Sequence, residues 1–319
     1  MPHITFLFPG QGSQKIGMGK DFFENSSLAK ELFEAASDRL KIDFTKLLFE
    51  ENDRINETTY TQPAIMLVSL TALKLFQSHS NITPQYALGH SLGEFGAVAS
   101  VGALGSLDAI ELVHYRGKFM SEAAKDADGG MMVVMGLSDE EVEQICAKAR
   151  DEGKKVWPAN YNSDGQIVVA GLKNDLVSLE KVFKDAGAKR ALLLNMSVAS
   201  HCPLMESARK PLQEYLEQFL QDSFIAPVIS NVTAAPYKTK NEAIELLSRQ
   251  LVEPVRYKQS IQNIENETDI FIEFGEGNVL KGLNRRITKK PTICISNMKS
   301  LEGALEVINK YMKLSPFSK

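Results

Sequence analysis

Tryptophan occurs once in this chain and cysteine three times, so neither residue is frequent enough to organise a fold. Cys146, Cys202 and Cys294 are far apart and odd in number. They build neither a disulfide framework nor a CxxC metal pair, and they fit a reducing compartment. No excess of one charge is present: 36 Lys and Arg stand against 40 Asp and Glu, a formal net charge of −4, which leaves no overall electrostatic footprint for nucleic acid. Long apolar runs are missing too. Residues 64–75, the most apolar stretch, are broken by Ser69, Thr71 and Lys74, and they fall well short of the ~20 residues a membrane helix needs. No segment is expected to cross a bilayer. Residues 1–8 lack the basic segment and cleavage site of a secretion signal, so they read as a first strand in a cytoplasmic protein.

What is present is a globular composition, 44% hydrophobic and 24% charged, which excludes disorder, a collagen-like repeat and a fibrous coiled coil. At about 150 residues per domain, this length predicts roughly two domains, or one large α/β domain with a smaller one inserted. The periodicity favours the second arrangement. Ile4 to Phe8 is an apolar strand stopped by Pro9-Gly10. Helical spacing over residues 59–77 leads to a short strand at 86–88, a helix at 94–101 and another at 107–124. The rhythm then changes to strand 131–135, helix 138–150, strand 155–159, strand 166–170, helix 174–186 and strand 190–195. That β-α-β-β-α-β order over about 65 residues is the pattern of a ferredoxin-like unit. Beyond it come helix 203–220, strand 227–231, helices 241–251 and 255–263, strand 270–274, helix 279–286 and strand 292–296, again an α/β alternation.

Gly89-His-Ser-Leu-Gly93 matches G-x-S-x-G, in which glycines permit a sharp strand-to-helix turn that presents a serine hydroxyl. The bland alternative is that Ser91 only caps the next helix. A nucleophilic serine needs a base, and of His3, His79, His90, His114 and His201 the best placed is His201, in a loop that can reach back from the inserted unit. No aspartate between Ser91 and His201 stands out to orient the imidazole, so a backbone carbonyl could do so. Cys202 reads as a small buried hydrophobe rather than a thiol nucleophile. The glycine-rich loop Phe8-Pro-Gly-Gln-Gly-Ser-Gln14 is not a P-loop, since Met18 stands where the lysine is required. Its backbone N–H groups suit an oxyanion better.

Together, Phe8 to Gln14, Gln62-Pro-Ala64, Gly89 to Glu94, Arg116 and Ser200-His201 resemble one family, the malonyl-CoA:acyl carrier protein transacylases. Asn160, Asn162, Asn231-Val232, Gln250, Gly275 to Leu280 and Arg285-Arg286-Ile287 extend the resemblance over nearly the whole chain. It implies an α/β-hydrolase-like catalytic domain, here 1–126 and 199–319, with a ferredoxin-like subdomain at 127–198. The implied reaction is a ping-pong transfer of malonyl from malonyl-CoA to the phosphopantetheine thiol of holo acyl carrier protein, supplying fatty acid synthesis. Ser91 would be the nucleophile, His201 the base, and the Gln250 carbonyl would hold the imidazole. Backbone N–H groups of Gln11 and Leu92 would form the oxyanion hole. Arg116 would grip the malonyl carboxylate, with Gln62, Asn160, Asn162 and Asn231 also at the substrate. Acidic carriers suggest a basic docking surface from Lys189, Arg190, Lys281, Arg285 and Arg286, with Lys289 and Lys290 nearby. The expected protein is a monomer with no bound cofactor and no metal.

Asp164, Ala199, Glu276 and Asn278 depart from the family pattern and bear on loop rigidity and docking rather than on the reacting residues. Three rival readings stay open from the residues. A serine hydrolase would hand the acyl group to water. A non-catalytic acyl or carrier-binding protein would keep the fold alone. The same mechanism with acetyl or methylmalonyl would change only the substrate.

Overall fold

The computed structural model describes residues 2–196 and 198–314. Their strands, in chain order, are β1 (Ile4–Phe8), β2 (Tyr86–Gly89), β3 (Gly129–Met135), β4 (Val156–Ser163), β5 (Gln166–Leu172), β6 (Arg190–Leu193), β7 (Val228–Ile229), β8 (Pro236–Tyr237), β9 (Ile270–Phe274) and β10 (Thr292–Ile295). The fold is mixed α/β with two sheets, one of order β10-β9-β1-β2-β7-β8 and one of order β4-β5-β3-β6. No helix among the described residues is long and apolar enough to cross a membrane.

The six-stranded sheet is parallel except for its edge strand β8. Parallel strands are covered on both faces and therefore need near-continuous apolar runs. β1 fits: all five of its residues are buried, and the hydroxyl of Thr5 is paired with that of Thr268 at 2.8 Å. Phe6, Phe8, Ile272 and Phe274 pack into the main core with helix Thr58–His79. Leu7, Leu88 and Phe271 face the other way, toward helices Tyr257–Ile264 and Val279–Ile287. Helix Thr58–His79 carries an internal Pro63, which cannot donate to the Thr59 carbonyl four residues back. Nδ1 of His114, on helix Ser106–Ala123, takes that carbonyl at 3.0 Å and so repairs the broken ladder.

The four-stranded sheet is antiparallel. Met132, Val134 and Val169 pack on one face under helices Asp139–Asp151 and Lys173–Asp185. The other face, with Met131, Val133, Val168 and Ala170, is turned toward Ala199 and Cys202. Val255 ties this sheet to the rest of the chain by accepting from the Tyr161 N–H and donating to the Ala159 carbonyl, both at 2.8 Å. Lys258 adds ion pairs to Asp139 at 2.6 Å and Asp164 at 3.2 Å.

Several boundaries differ from the periodicity reading, each for a local reason. The expected helix 255–263 begins only at Tyr257, because Val255 is committed to the bridge with Asn160. Strand 227–231 shortens to Val228–Ile229, since Ser230 turns to donate to the Ala235 carbonyl. Residues 203–220 divide into a 3-10 turn, Pro203–Met205, and helix Glu206–Phe219. Four α-helices among the described residues lie outside the elements that periodicity predicts: Lys20–Asn25, Ser27–Leu40, Phe44–Phe49 and Met298–Leu314. Ser27–Leu40 carried a readable signal in its Ser26 cap and in Ala29, Leu32, Phe33 and Ala36 at helical spacing.

Candidate active site

β2 runs straight into the turn at Ser91 and then into helix Gly93–Ser100. Ser91 has φ +53°, a left-handed conformation that costs a non-glycine residue on the order of 1–3 kcal/mol and persists only where its surroundings over-determine it. Both of its backbone groups are held from outside. Its N–H donates to Asn231 Oδ1 at 2.7 Å, and its carbonyl accepts from Gln250 Nε2 at 3.0 Å. The flanking glycines are required by close approach: a Cβ on Gly89 would lie 1.8 Å from the Gly93 carbonyl carbon, and one on Gly93 would lie 1.9 Å from the Phe8 oxygen. Helix Gly93–Ser100 has no side-chain cap, which removes the capping alternative for Ser91.

Ser91 Oγ lies 2.7 Å from Nε2 of the buried His201, whose Nδ1 is 2.6 Å from the Gln250 carbonyl oxygen. A carbonyl only accepts, so Nδ1 carries the proton, and in the neutral ring Nε2 presents a lone pair to the serine O–H. Burial, reinforced by the nearby Arg116 charge, lowers the His201 pKa to about 3, so the imidazole is neutral at ordinary pH. Cys202 donates to the Ala199 carbonyl at 3.2 Å, and burial pushes its thiol up to about 12. It is not a competing thiolate.

Arg116 is 1% exposed, so its guanidinium lies inside the protein and not on the outer face of its helix. Its guanidinium donates to Gln62 Oε1 at 2.9 Å, Gln250 Oε1 at 3.0 Å and Ser91 Oγ at 3.2 Å, while Nε finds no partner among the described residues. Burial lowers its pKa to about 10, still leaving it charged at neutral pH. A buried cation satisfied only by neutral acceptors attracts an anion strongly, and a planar fork suits a carboxylate.

These groups open onto a cavity of about 300 Å³ lined by Gln11, Ser91, Leu92, Arg116, Asn160, Asn162 and His201, with Met131, Val133, Val168 and Leu194 as the apolar wall. Asn162 accepts from His90 Nε2 at 2.7 Å. Gln62, Asn231 and Gln250 are fully buried behind the lining and hold Arg116 and Ser91 rather than facing the cavity. At the mouth, Arg190 is in register with Met135 and Met135 with Gln166, whose Oε1 accepts from Arg286 at 3.3 Å. Lys189 and Arg285 are exposed, and Lys281 is half-buried. Two unusual residues are ion-paired: Asp164 with Lys258, and Glu276 with Lys15 at 2.7 Å. Ala199 is buried against the four-stranded sheet, and Asn278 starts helix Val279–Ile287 without a side-chain cap.

Sequence reasoning assigned no role to Glu94 or Tyr237. The signal for Glu94 was a single charge in the otherwise small and apolar helix GEFGAVAS, a carboxylate that must be buried and therefore bonded.

The acyl transferase domain family matches residues 5–299. Malonyl CoA-acyl carrier protein transacylase of Bacillus subtilis (strain 168) is 38% identical over 313 residues, 97% of this chain and 98% of that protein. Among solved structures, malonyl-CoA:acyl carrier protein transacylase from Helicobacter pylori has a TM-score of 0.94 and 49% identity, covering 98% of this chain and 100% of that one. A malonyl-transacylase in complex with its type II PKS acyl-carrier protein has a TM-score of 0.91 and 36% identity, covering 96% and 99%.

Proposed function

The chain belongs to the malonyl-CoA:acyl carrier protein transacylase family, and on that premise we propose that it moves malonyl from malonyl-CoA to the phosphopantetheine thiol of holo acyl carrier protein, supplying fatty acid synthesis in the cytoplasm. The observation that carries this reading is the buried Arg116, 3.2 Å from the Ser91 hydroxyl and hydrogen-bonded, among the described residues, to neutral acceptors and to no carboxylate. Such a cation suits an acyl group that ends in a carboxylate.

In the first half-reaction Ser91 Oγ attacks the thioester carbonyl carbon and its proton passes to His201 Nε2. The oxyanion takes hydrogen bonds from the backbone N–H groups of Gln11 and Leu92. Collapse breaks the carbon–sulfur bond, and the departing CoA thiolate takes the proton from His201. In the second half the carrier thiol gives its proton to Nε2 while its sulfur attacks the malonyl ester. Ser91 then leaves with that proton. Gln250 keeps the imidazole aligned through its carbonyl, in place of an aspartate.

Asn160 and Asn162, which line the same cavity as Arg116, would border the acyl chain. Gln62 and Asn231 would act on substrate indirectly, through Arg116 and Ser91. The six-stranded part, 1–126 with 199–319, reads as an α/β-hydrolase-like domain, and 127–198 as a ferredoxin-like insert. The basic residues at the mouth, led by Arg190 and Arg286, would receive an acidic carrier, and the protein would act as a monomer without a bound cofactor.

The test is to follow malonyl from malonyl-CoA in the presence of holo carrier, separating malonyl-carrier from free malonate. Malonyl-carrier as the main product, at a rate dependent on carrier concentration, supports transfer. Free malonate with an unmodified carrier would show a hydrolase.

A further inference from the structure

Behind the catalytic serine lies a carboxylate with no part in the proton transfers. Glu94 is 0% exposed and stands three residues after Ser91 on helix Gly93–Ser100. Its Oε2 accepts from Gln250 Nε2 at 2.7 Å and from the Asn231 N–H at 3.1 Å, and its Oε1 accepts from Tyr237 O–H at 3.1 Å. Each of the first two partners is itself bound to the strained backbone of Ser91. Gln250 further holds Arg116 through Oε1 and His201 through its carbonyl.

An amide side chain has one accepting end and one donating end. Both donors of Gln250 are used, toward Glu94 and toward the Ser91 carbonyl, so only the oxygen is left to face the guanidinium. We propose that Glu94 is a positioning residue for acyl selectivity: as an acceptor-only anion it fixes the orientation of the Gln250 amide, and through it the place of Arg116. Were the amide reversed, its NH₂ would oppose the N–H groups of Arg116 and its oxygen would oppose two acceptors. The inference rests on the proposed carboxylate-binding role of Arg116. Burial raises the pKa of Glu94 to about 7, opposed by its three donors and by Arg116, so it is about half ionised at neutral pH and predominantly ionised above it, while all three partners in the structure donate to it.

Glutamine at this position keeps the size but can offer its own NH₂, which lets the Gln250 amide turn over. The experiment measures formation of malonyl-enzyme and acetyl-enzyme by intact mass, at neutral pH or above, for wild type, Glu94→Gln, Gln250→Met and the double variant, with thermal unfolding alongside. Displacing a binding group by about 1 Å costs up to roughly 100-fold. The ratio of malonyl to acetyl labelling rates is therefore expected to fall about 10- to 100-fold in Glu94→Gln, and the double variant to fall no further than Gln250→Met. Gln250→Met keeps the carbonyl that holds His201, so it tests the relay even where Glu94→Gln does not fold. Malonyl and acetyl rates falling together in both single variants would overturn the proposal while leaving the transferase reading intact. A wild type that takes no malonyl at all would overturn that reading as well.

Discussion

In the six-stranded sheet the proposed reactive groups sit on loops just beyond strand ends: Gln11 after β1, Ser91 and Leu92 after β2, with Asn231 after β7 as support. The four-stranded sheet contributes side chains from within its strands, Met131, Val133, Asn160, Asn162 and Val168. A residue inside a ladder has its N–H and carbonyl committed, whereas a loop at the carboxyl end of a parallel strand can leave an N–H free and adopt the left-handed φ of Ser91. One sheet is thus placed to supply chemistry and the other to supply a wall and a mouth. His201, on the connection between them, is a bond from both the elbow and the Gln250 loop.

Of the substitutions that separate the roles of the two sheets, the largest loss is expected where a loop N–H is removed. Gln11→Pro removes the donor and should slow malonylation by roughly 10²- to 10³-fold. Gln11→Ala keeps the N–H and should cost far less, since the side chain only reaches Thr58 Oγ1 at 3.3 Å. Similar losses in stopped-flow acylation of the two variants would remove Gln11 from the oxyanion site. Next in size, Arg116→Ala should lower malonyl transfer by roughly 100-fold more than acetyl transfer, because only the first substrate has an anion to lose. Equal losses would deny the cation a role in selectivity.

At the mouth, reversing Arg190 and Arg286 to Glu should raise KM for the carrier by about tenfold at low salt, with the gap closing as salt screens the charges. Acylation by malonyl-CoA should be unaffected, and a steady carrier KM across the variants would move the docking surface elsewhere. The smallest effect on chemistry is expected from Lys258→Met, which cuts the ion pairs to Asp139 and Asp164, none of the three being part of the cavity lining. It should lower thermal stability by about 1–3 kcal/mol, since Asp139 then stays half-buried without its cation, and leave the acylation rate at the wild-type value. A large loss of rate would show that the two sheets must be held together for catalysis.

Much of this was legible in the sequence because local chemistry demanded it. G-x-S-x-G between an apolar run and a helix of small residues left few alternatives to a sharp elbow, and β1 announced itself by four large apolar residues in a run of five. The strand order was not legible, since β9 pairs with β1 from more than 250 residues away in sequence, and β10 then pairs with β9. Nor was the back wall. Gln250, Asn231 and Glu94 meet only after three segments distant in sequence converge, and nothing local marks the side chain of Gln250 as the bond between Arg116 and Glu94. Arg116 is a charged residue whose burial on helix Ser106–Ala123 no local pattern marks; only the resemblance points to it.

The account stands on Ser91 carrying the acyl group while His201 moves the proton. The direct measurement is peptide mapping by mass spectrometry after brief mixing with malonyl-CoA, run on the wild type and on Ser91→Ala. One malonyl group per chain is expected on the peptide containing Ser91, chased off by holo carrier, with no adduct on Ser91→Ala and a rate lowered by roughly 10⁴-fold or more. A malonyl group found on another residue, or an equally fast transfer by Ser91→Ala, would contradict it.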